Sequence, residues 1–496
     1  MSLINVSNLT FAYDGSYDTV FDNVSFQLDT DWKLGFTGRN GRGKTTFLNL
    51  LLGKYSYSGS ITSNVRFDYF PYDVPDKTLW TSEVVAPAVK DCPDWQFHRE
   101  LKQLDVREDV LDRPFNTLSN GEQTKVLLAA MFIRDNSFLL IDEPTNHMDM
   151  NARQLVSDYL NTKKGFILVS HDRHFLDNCI DHILSINKMK IEIQRGNFSS
   201  WWYNKQLQDD FEMAENEKLR KDIKRFEAAA RRTADWSETA EKRKIGFDPA
   251  KTEKSLNRRP AEGAKAKKMM SRSKAIKVRQ QSAIEEKSGL LKNIETAEPL
   301  KITPLRYHTD CLVEFDNVSI FYDEKPVCEG VRFSVRQGEK IALCGKNGSG
   351  KSSILKLASG EPLRYEGTVR RGSRLVISHI PQDTSGLGGC LRDYIEKYAV
   401  DESLFKAILR KLDFSRVQFE KDISSLSEGQ KKKILIARSL CEKAHLYLWD
   451  EPLNYIDVLS RMQIEDLLRQ YAPTLLFVEH DQSFCNAVAT KTVLLG

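Results

Sequence analysis

The chain reads as two α/β domains in tandem, joined by a long α-helical hairpin linker. Three observations carry this reading. Each half holds a complete set of nucleotide-phosphate motifs. Those motifs recur at a nearly constant spacing. Between the halves lies a highly charged stretch with helical patterning and no strand signals. The expected boundaries are residues 1–203 for the first domain, 204–300 for the linker and 301–496 for the second domain.

In order, alternating apolar patterns mark strands at Ile4–Leu9, Val24–Leu28 and Lys33–Thr37, the last running into GRNGRGKTT. The second half repeats this with Val313–Ile320, Val331–Val335 and Lys340–Leu343, then GKNGSGKSS. Gly38 maps to Gly345 with an offset of 307, Ser119 to Ser427 and Asp142 to Asp450 with 308, and His171 to His480 with 309. That period is far longer than the 20–50 residues of a solenoid, so this is a duplicated domain. About 200 residues per unit suits one α/β domain.

Composition narrows the class. With 41% hydrophobic and 10% aromatic residues the chain can fill its cores, and 29% charged is ordinary for a soluble protein. Cys92, Cys179, Cys311, Cys328, Cys344, Cys390, Cys441 and Cys485 are scattered singly, with no C-x-x-C pair. This argues against a zinc site or a disulfide framework and for a reducing cytosol. No secretory signal pattern opens the chain, and no stretch approaches the ~20 apolar residues that span a bilayer.

The P-loop pattern G-x-x-x-x-G-K-[ST] occurs twice. In the first half it comprises Gly38, Arg39, Asn40, Gly41, Arg42, Gly43, Lys44 and Thr45, followed by Thr46. In the second it comprises Gly345, Lys346, Asn347, Gly348, Ser349, Gly350, Lys351 and Ser352, followed by Ser353. The glycines let backbone N–H groups approach phosphate oxygens. Lys44 and Lys351 neutralise the outer phosphates, while Thr45 and Ser352 supply hydroxyls for Mg2+. Downstream, FLLIDEP and LYLWDEP are apolar strands ending in adjacent carboxylates, which alternation points in different directions. Asp142 and Asp450 are then metal-side residues, and Glu143 and Glu451 orient or deprotonate water. A DE pair after an apolar run is often only a strand end. Its recurrence behind a P-loop in both halves favours catalysis.

This combination resembles the ATP-binding-cassette superfamily. LSNGEQ (with Ser119, Gly121 and Glu122) and LSEGQ (with Ser427, Gly429 and Gln430) are similar to its signature motif. The resemblance implies that Tyr13 and Tyr322 stack on adenine, and that His171 and His480 contact the γ-phosphate. It also implies head-to-tail packing. Lys44, Glu143 and His171 would share an ATP with Ser427, and Lys351, Glu451 and His480 would share one with Ser119. Departures are visible. The glutamine kept as Gln382, a metal-side residue in the second half, is Tyr72 in the first. Asn120 and Glu428 replace the first signature glycines, and Leu453 and Tyr455 replace the Thr and His of DEPTNH. The two sites are therefore expected to hydrolyse ATP at different rates.

Two cassettes without a membrane segment, DEPTNHMD, and GNFS before a charged linker resemble the ABC-F family of translation factors. GRNGRGKTTFL, AENEK, ADWS, MSRSK and WDEPLNYID are similar to its Lsa/Vga type of antibiotic-resistance proteins. That resemblance implies a cytoplasmic, ribosome-associated ATPase using ATP and Mg2+. Its partners would be the ribosome, 23S rRNA and P-site tRNA, with no membrane, and the chain would be a monomer with an intramolecular cassette sandwich. The linker would reach toward the peptidyl-transferase centre and protect against lincosamide, pleuromutilin and streptogramin A drugs. The alternatives are a housekeeping factor that relieves stalled ribosomes and the ATPase subunit of a membrane transporter.

The linker itself is electrostatically polarised. Residues 241–280 hold 14 Lys and Arg against 4 Asp and Glu, a net of +10, within a chain of net +4. Residues 211–240 balance at 7 against 7. The pattern predicts a first helix over Lys205–Thr239 with a seam of Phe211, Leu219, Ile223 and Phe226, and a second over Ala264–Glu295. At 1.5 Å per residue the hairpin would project roughly 50 Å. Its tip, Lys242–Glu262, contains the candidate RNA contacts Lys254, Leu256, Asn257, Arg258 and Arg259. A charge run is commonly a solvated helix face, but charge that averages zero on the first helix and turns strongly positive at the tip and return helix can neutralise phosphates. Lys431, Lys432 and Lys433, after the second signature, read as a solvated face.

Overall fold

The computed structural model describes residues 2–13, 19–90, 92–134, 136–146, 148–187, 190–245, 271, 274–276, 278–279, 282, 300–322 and 325–495. It has two compact units. Met1–Trp201 and Ala297–Gly496 form one, and Trp202–Thr296 forms the other.

In the larger unit the duplication is literal. In the first cassette, the central sheet orders its strands Arg66–Phe70, Ser137–Asp142, Phe166–Val169, Lys33–Thr37, His182–Asn187 and Lys190–Arg195. All neighbours are parallel except the last pair. In the second, Ile377–Ile380, Leu446–Asp450, Leu475–Val478, Lys340–Cys344 and Lys491–Leu494 repeat the order, all parallel. FILV and LYLWD are buried along their whole length, as expected of strands covered on both faces. A three-stranded antiparallel sheet accompanies each: Thr19–Asp29, Leu3–Ala12 and Ser58–Thr62, then Lys325–Arg336, Cys311–Tyr322 and Tyr365–Arg371.

The antiparallel strands are longer than their alternating cores suggested, because each carries a bulge that shifts the phase. Asn8 (φ 52°) and Asn317 (φ 52°) take the left-handed conformation at equivalent points. Burial follows suit: Ile4 and Val6 precede the bulge, and Leu9 and Phe11 follow it on the same face.

This strand order positions the chemistry. The P-loop, the DE pair and the histidine leave the carboxyl ends of three adjacent parallel strands, in both cassettes. The crevice outside those ends is where open α/β sheets bind ligands.

The smaller unit contains most of one helix, Phe198–Ile245, which begins before the expected Lys205. At 1.5 Å per residue it is about 70 Å long. Side-chain pairs one turn apart support it, including Lys205–Asp209 at 3.0 Å and Glu217–Lys221 at 2.7 Å. Leu219, Ile223 and Phe226 are half-buried, as a seam should be. Phe211 is not part of it, being 69% exposed. Of the expected return helix, residues 271, 274–276, 278–279 and 282 are described, and all are helical. The candidate contacts Lys254, Leu256, Asn257, Arg258 and Arg259 lie outside the described residues. No described helix is long and apolar enough to cross a membrane.

Candidate active site

Each P-loop ends on a glycine that caps the following helix in the left-handed region. Gly43 (φ 97°) precedes Lys44–Leu51, and Gly350 (φ 85°) precedes Lys351–Ser359. An L-residue is strained there. The lysines fold back into their own loops. Lys44 Nζ donates to the carbonyls of Gly38 (2.6 Å) and Arg39 (3.2 Å), and Lys351 Nζ to those of Gly345 (2.9 Å) and Lys346 (2.8 Å). Burial lowers the pKa of both.

Two clefts form between the cassettes. One, about 600 Å3, sets Lys44, Thr45, Glu143 and His171 against Ser427, Gly429 and Gln430. The other, about 540 Å3, sets Lys351, Ser352, Gln382, Glu451 and His480 against Ser119, Gly121 and Glu122. The structure therefore brings together residues that lie far apart along the sequence. Ser119 and Ser427 are N-caps, each in a capping box with the residue three further on. Their helix N-termini, with unpaired N–H groups, meet the clefts.

Glu143 (φ 50°) and Glu451 (φ 45°) both stand in the left-handed region. Their N–H groups donate to Val169 O (2.9 Å) and Val478 O (3.0 Å). This kink costs roughly 1–3 kcal/mol and turns each glutamate off its strand toward the histidine of the next. His171 Nε2 lies 3.3 Å from Glu143 Oε1, and His480 Nε2 lies 3.2 Å from Glu451 Oε1.

The two dyads are otherwise unlike. Burial, with the adjacent Asp142, pushes Glu143 up to about 8. Burial and nearby Lys44 hold His171 well below the usual imidazole range. Burial would raise Glu451 too, but the hydrogen bond and charge of His480, the Gln382 amide and Lys432 outweigh it and bring it down to about 2. Asn454 Nδ2 also donates to Glu451 (2.6 Å).

The donor sets for Mg2+ differ in the same way. In the second site the Ser352 side chain lies beside the Asp450 carboxylate, whose Oδ1 is buried without a hydrogen-bond partner. With Gln382 beside them, these oxygens fit a hard cation. In the first site Thr45 Oγ1 is 3.5 Å from Asp142 Oδ2. Tyr72 turns away and donates to Val84 O (2.8 Å). The fit there is incomplete.

Tyr13 lines the first cleft, its hydroxyl 2.6 Å from Thr46 Oγ1 and its ring edge-on to Phe11 and Tyr55. Tyr322 reaches Ser353 (3.3 Å), but Val327 lines the second cleft. Glu428 turns its carboxylate to the Thr384 hydroxyl and to Lys431. A carboxylate beside a triphosphate is thereby partly screened.

The expected solvated face of three lysines is corrected by the structure. Lys432 and Lys433 are 3% and 4% exposed. Lys432 Nζ donates to Pro381 O and Gln382 O, holding the glutamine loop. Lys433 Nζ pairs with Asp457 (3.1 Å) and lines the first cleft. Lys125, at the same 308-residue offset, lines the second. That shared offset was the available signal. Tyr455, marked in the sequence only as a departure from DEPTNH, reaches the first cleft from the second cassette with Asp413 and Gln418, which had no signal.

Comparison with known proteins agrees with this geometry. The family described as ABC transporter matches residues 21–146 and 328–454. Ribosome protection protein VmlR of Bacillus subtilis is 30% identical, covering 100% of this chain and 86% of its own. ATP-binding protein Uup of Caulobacter vibrioides is 27% identical over 96% of this chain and 74% of its own. Among solved structures, the archaeal ribosome recycling factor aABCE1, crystallised with stalk protein aP1, aligns with a TM-score of 0.63 at 20% identity. It covers 98% of this chain and 87% of that one, a likeness of fold.

Proposed function

Because this chain is an ATPase of the ABC-F family, we propose that it acts on the ribosome as a protection factor, with ATP closing the cassettes and the basic linker engaging RNA. The observation that carries the reading is the pairing of each P-loop with the opposite signature helix across one cleft. Nucleotide held there contacts both cassettes, so its hydrolysis removes a bond between them. The net +10 of residues 241–280 supplies the phosphate-binding end. The 30% likeness to a ribosome protection protein supports the choice of partner.

In hydrolysis, Lys44 and Lys351 leave their own carbonyls for the phosphates, and the signature N–H groups close from the far side. Glu451, ionised at neutral pH, accepts a proton from the attacking water, with His480 fixing its carboxylate at 3.2 Å. Mg2+, when bound, neutralises charge developing on the phosphoryl oxygens. Ser352, Asp450 and Gln382 would hold it in the second site. We place the protein in the cytoplasm as a monomer, with 23S rRNA and P-site tRNA as the linker's targets. Lincosamides, pleuromutilins and streptogramin A are the drugs it counters.

The test is a Glu143→Gln, Glu451→Gln double variant. It should bind ATP without turnover and sediment with ribosomes, and not with membranes. A sensitive host expressing the unaltered protein should gain drug tolerance. Failure of the ATP-trapped variant to sediment with ribosomes would overturn the proposal. Ribosome binding without any gain in tolerance would replace it with a drug-independent translation factor.

A further inference from the structure

Tyr69 lies on the strand Arg66–Phe70, directly beside the strand that ends in Asp142. Its hydroxyl donates to Asp142 Oδ2 at 2.9 Å, the same oxygen that Thr45 approaches. Tyr69 is therefore hydrogen-bonded to the carboxylate that the metal needs in the first site. The ring is held in place, with Lys54 Nζ 5.5 Å from its centroid.

The second site has no equivalent of this hydrogen bond among the described residues. His379 occupies the corresponding register on the strand Ile377–Ile380, paired beside the strand that ends in Asp450, and does not bond its carboxylate. Instead, Asp450 Oδ1 is buried and free. The second site also has the Gln382 amide, whose counterpart Tyr72 is committed to Val84. One site thus presents a carboxylate oxygen without a partner, and the other presents a carboxylate with one oxygen already engaged by a phenol.

We propose that the two sites divide the work, and that Tyr69 imposes the division. The Lys351 site is the metal-dependent hydrolytic site. The Lys44 site is a slow nucleotide clamp whose grip depends little on Mg2+, because a cation there competes with the Tyr69 hydroxyl for Asp142 Oδ2. Its wall suits a clamp. Asn40 and Arg39 of its P-loop contact Tyr455 and Asp413 of the opposite cassette directly, so ATP there adds to a contact already made. Tyr69 is a positioning residue, acting through Asp142. The proposal rests on the assignment of both clefts as ATP sites.

The hydrolysis-deficient Glu143→Gln, Glu451→Gln protein, saturated with ATP, would be titrated with Mn2+ and followed by electron paramagnetic resonance. Two classes of bound Mn2+ are expected, differing on the order of tenfold in affinity, the scale of one hydrogen bond to a charged group. Adding Tyr69→Phe, which keeps the ring and removes the donor, should strengthen the weak class to match the strong one. Adding Gln382→Ala instead should weaken only the strong class. One class of Mn2+ before any change at Tyr69, or two classes unaltered by Tyr69→Phe, would overturn the proposal. Binding of fewer than two ATP per chain in the starting protein would instead overturn the cleft assignment beneath it.

Discussion

Asn40, in the first P-loop, donates its side-chain amide to the backbone carbonyl of Tyr455 at 3.1 Å. Tyr455 (φ 64°) lies four residues beyond Glu451, on the loop that leaves the strand Leu446–Asp450. The P-loop of one cleft is thus tied to the glutamate loop of the other. Asn40→Ala should uncouple them. ATP binding should weaken by about fivefold, the scale of one neutral hydrogen bond, and the Hill coefficient for hydrolysis should fall toward one. A coefficient unchanged from the parent protein would argue against the link.

Glu143 and Glu451 should not be equivalent. Glu451→Gln is expected to lower steady-state ATPase by about a hundredfold or more, as removal of a general base does. Glu143→Gln should cost about threefold or less, since burial keeps its carboxyl protonated up to about 8. Equal losses in the two variants would contradict the asymmetry.

Lys433 and Asp457 form a pair that is 5% and 1% exposed at the side chains. Lys433→Ala leaves a buried carboxylate with one partner fewer. It should destabilise the protein by roughly 3–5 kcal/mol in chemical denaturation. Adding Asp457→Asn to a Lys433→Met variant should recover much of that stability, because the uncompensated charge is then gone.

Glu479 supplies a pH dependence. It is buried, and its carboxylate accepts from the N–H groups of Leu453 (2.8 Å) and His480 (3.3 Å). Burial, with Glu451 and Asp481, pushes it up to about 7 against the pull of Arg461, and Lys432 also faces it. An acid with a raised native pKa binds more protons folded than unfolded between about 4.5 and 7. Its contribution to stability therefore falls as pH rises through that window, then levels off. Glu479→Gln should raise the melting temperature by a few degrees at pH 8 and change it little at pH 5. An equal shift at both would remove the titration from the explanation.

Replacing Lys254, Arg258 and Arg259 together by alanine should flatten the salt dependence of ribosome binding. The slope of log affinity against log salt should drop by about two to three, roughly one for each phosphate no longer neutralised. An unchanged slope would move the RNA-binding surface elsewhere on the linker.

The motif residues were legible because phosphate chemistry demands particular residue types at short, fixed spacings. Lys44, Asp142, Glu143 and His171 could each be placed from a handful of neighbours. The bulges at Asn8 and Asn317 were not, since nothing in an alternating pattern marks a single extra residue. Lys432 and Lys433 looked solvated because charge runs usually are. Their partners, the carbonyls of Pro381, Gln382 and Leu412 and the Asp457 carboxylate, come from other segments. Tyr69 was invisible for the same reason, being one aromatic among three in the strand Arg66–Phe70.

The amino-acid order alone determined that there are two nucleotide-binding domains, where the P-loop pattern recurs, and where the positive charge is concentrated. These follow from local patterns, and local patterns survive without a fold. Only the tertiary structure decided which hydroxyl sits on Asp142, which oxygen of Asp450 stays open, and that Glu143 and Glu451 hold their protons so differently. Those properties depend on burial and on partners dozens to hundreds of residues away, where side-chain distance, and not sequence spacing, sets the energy.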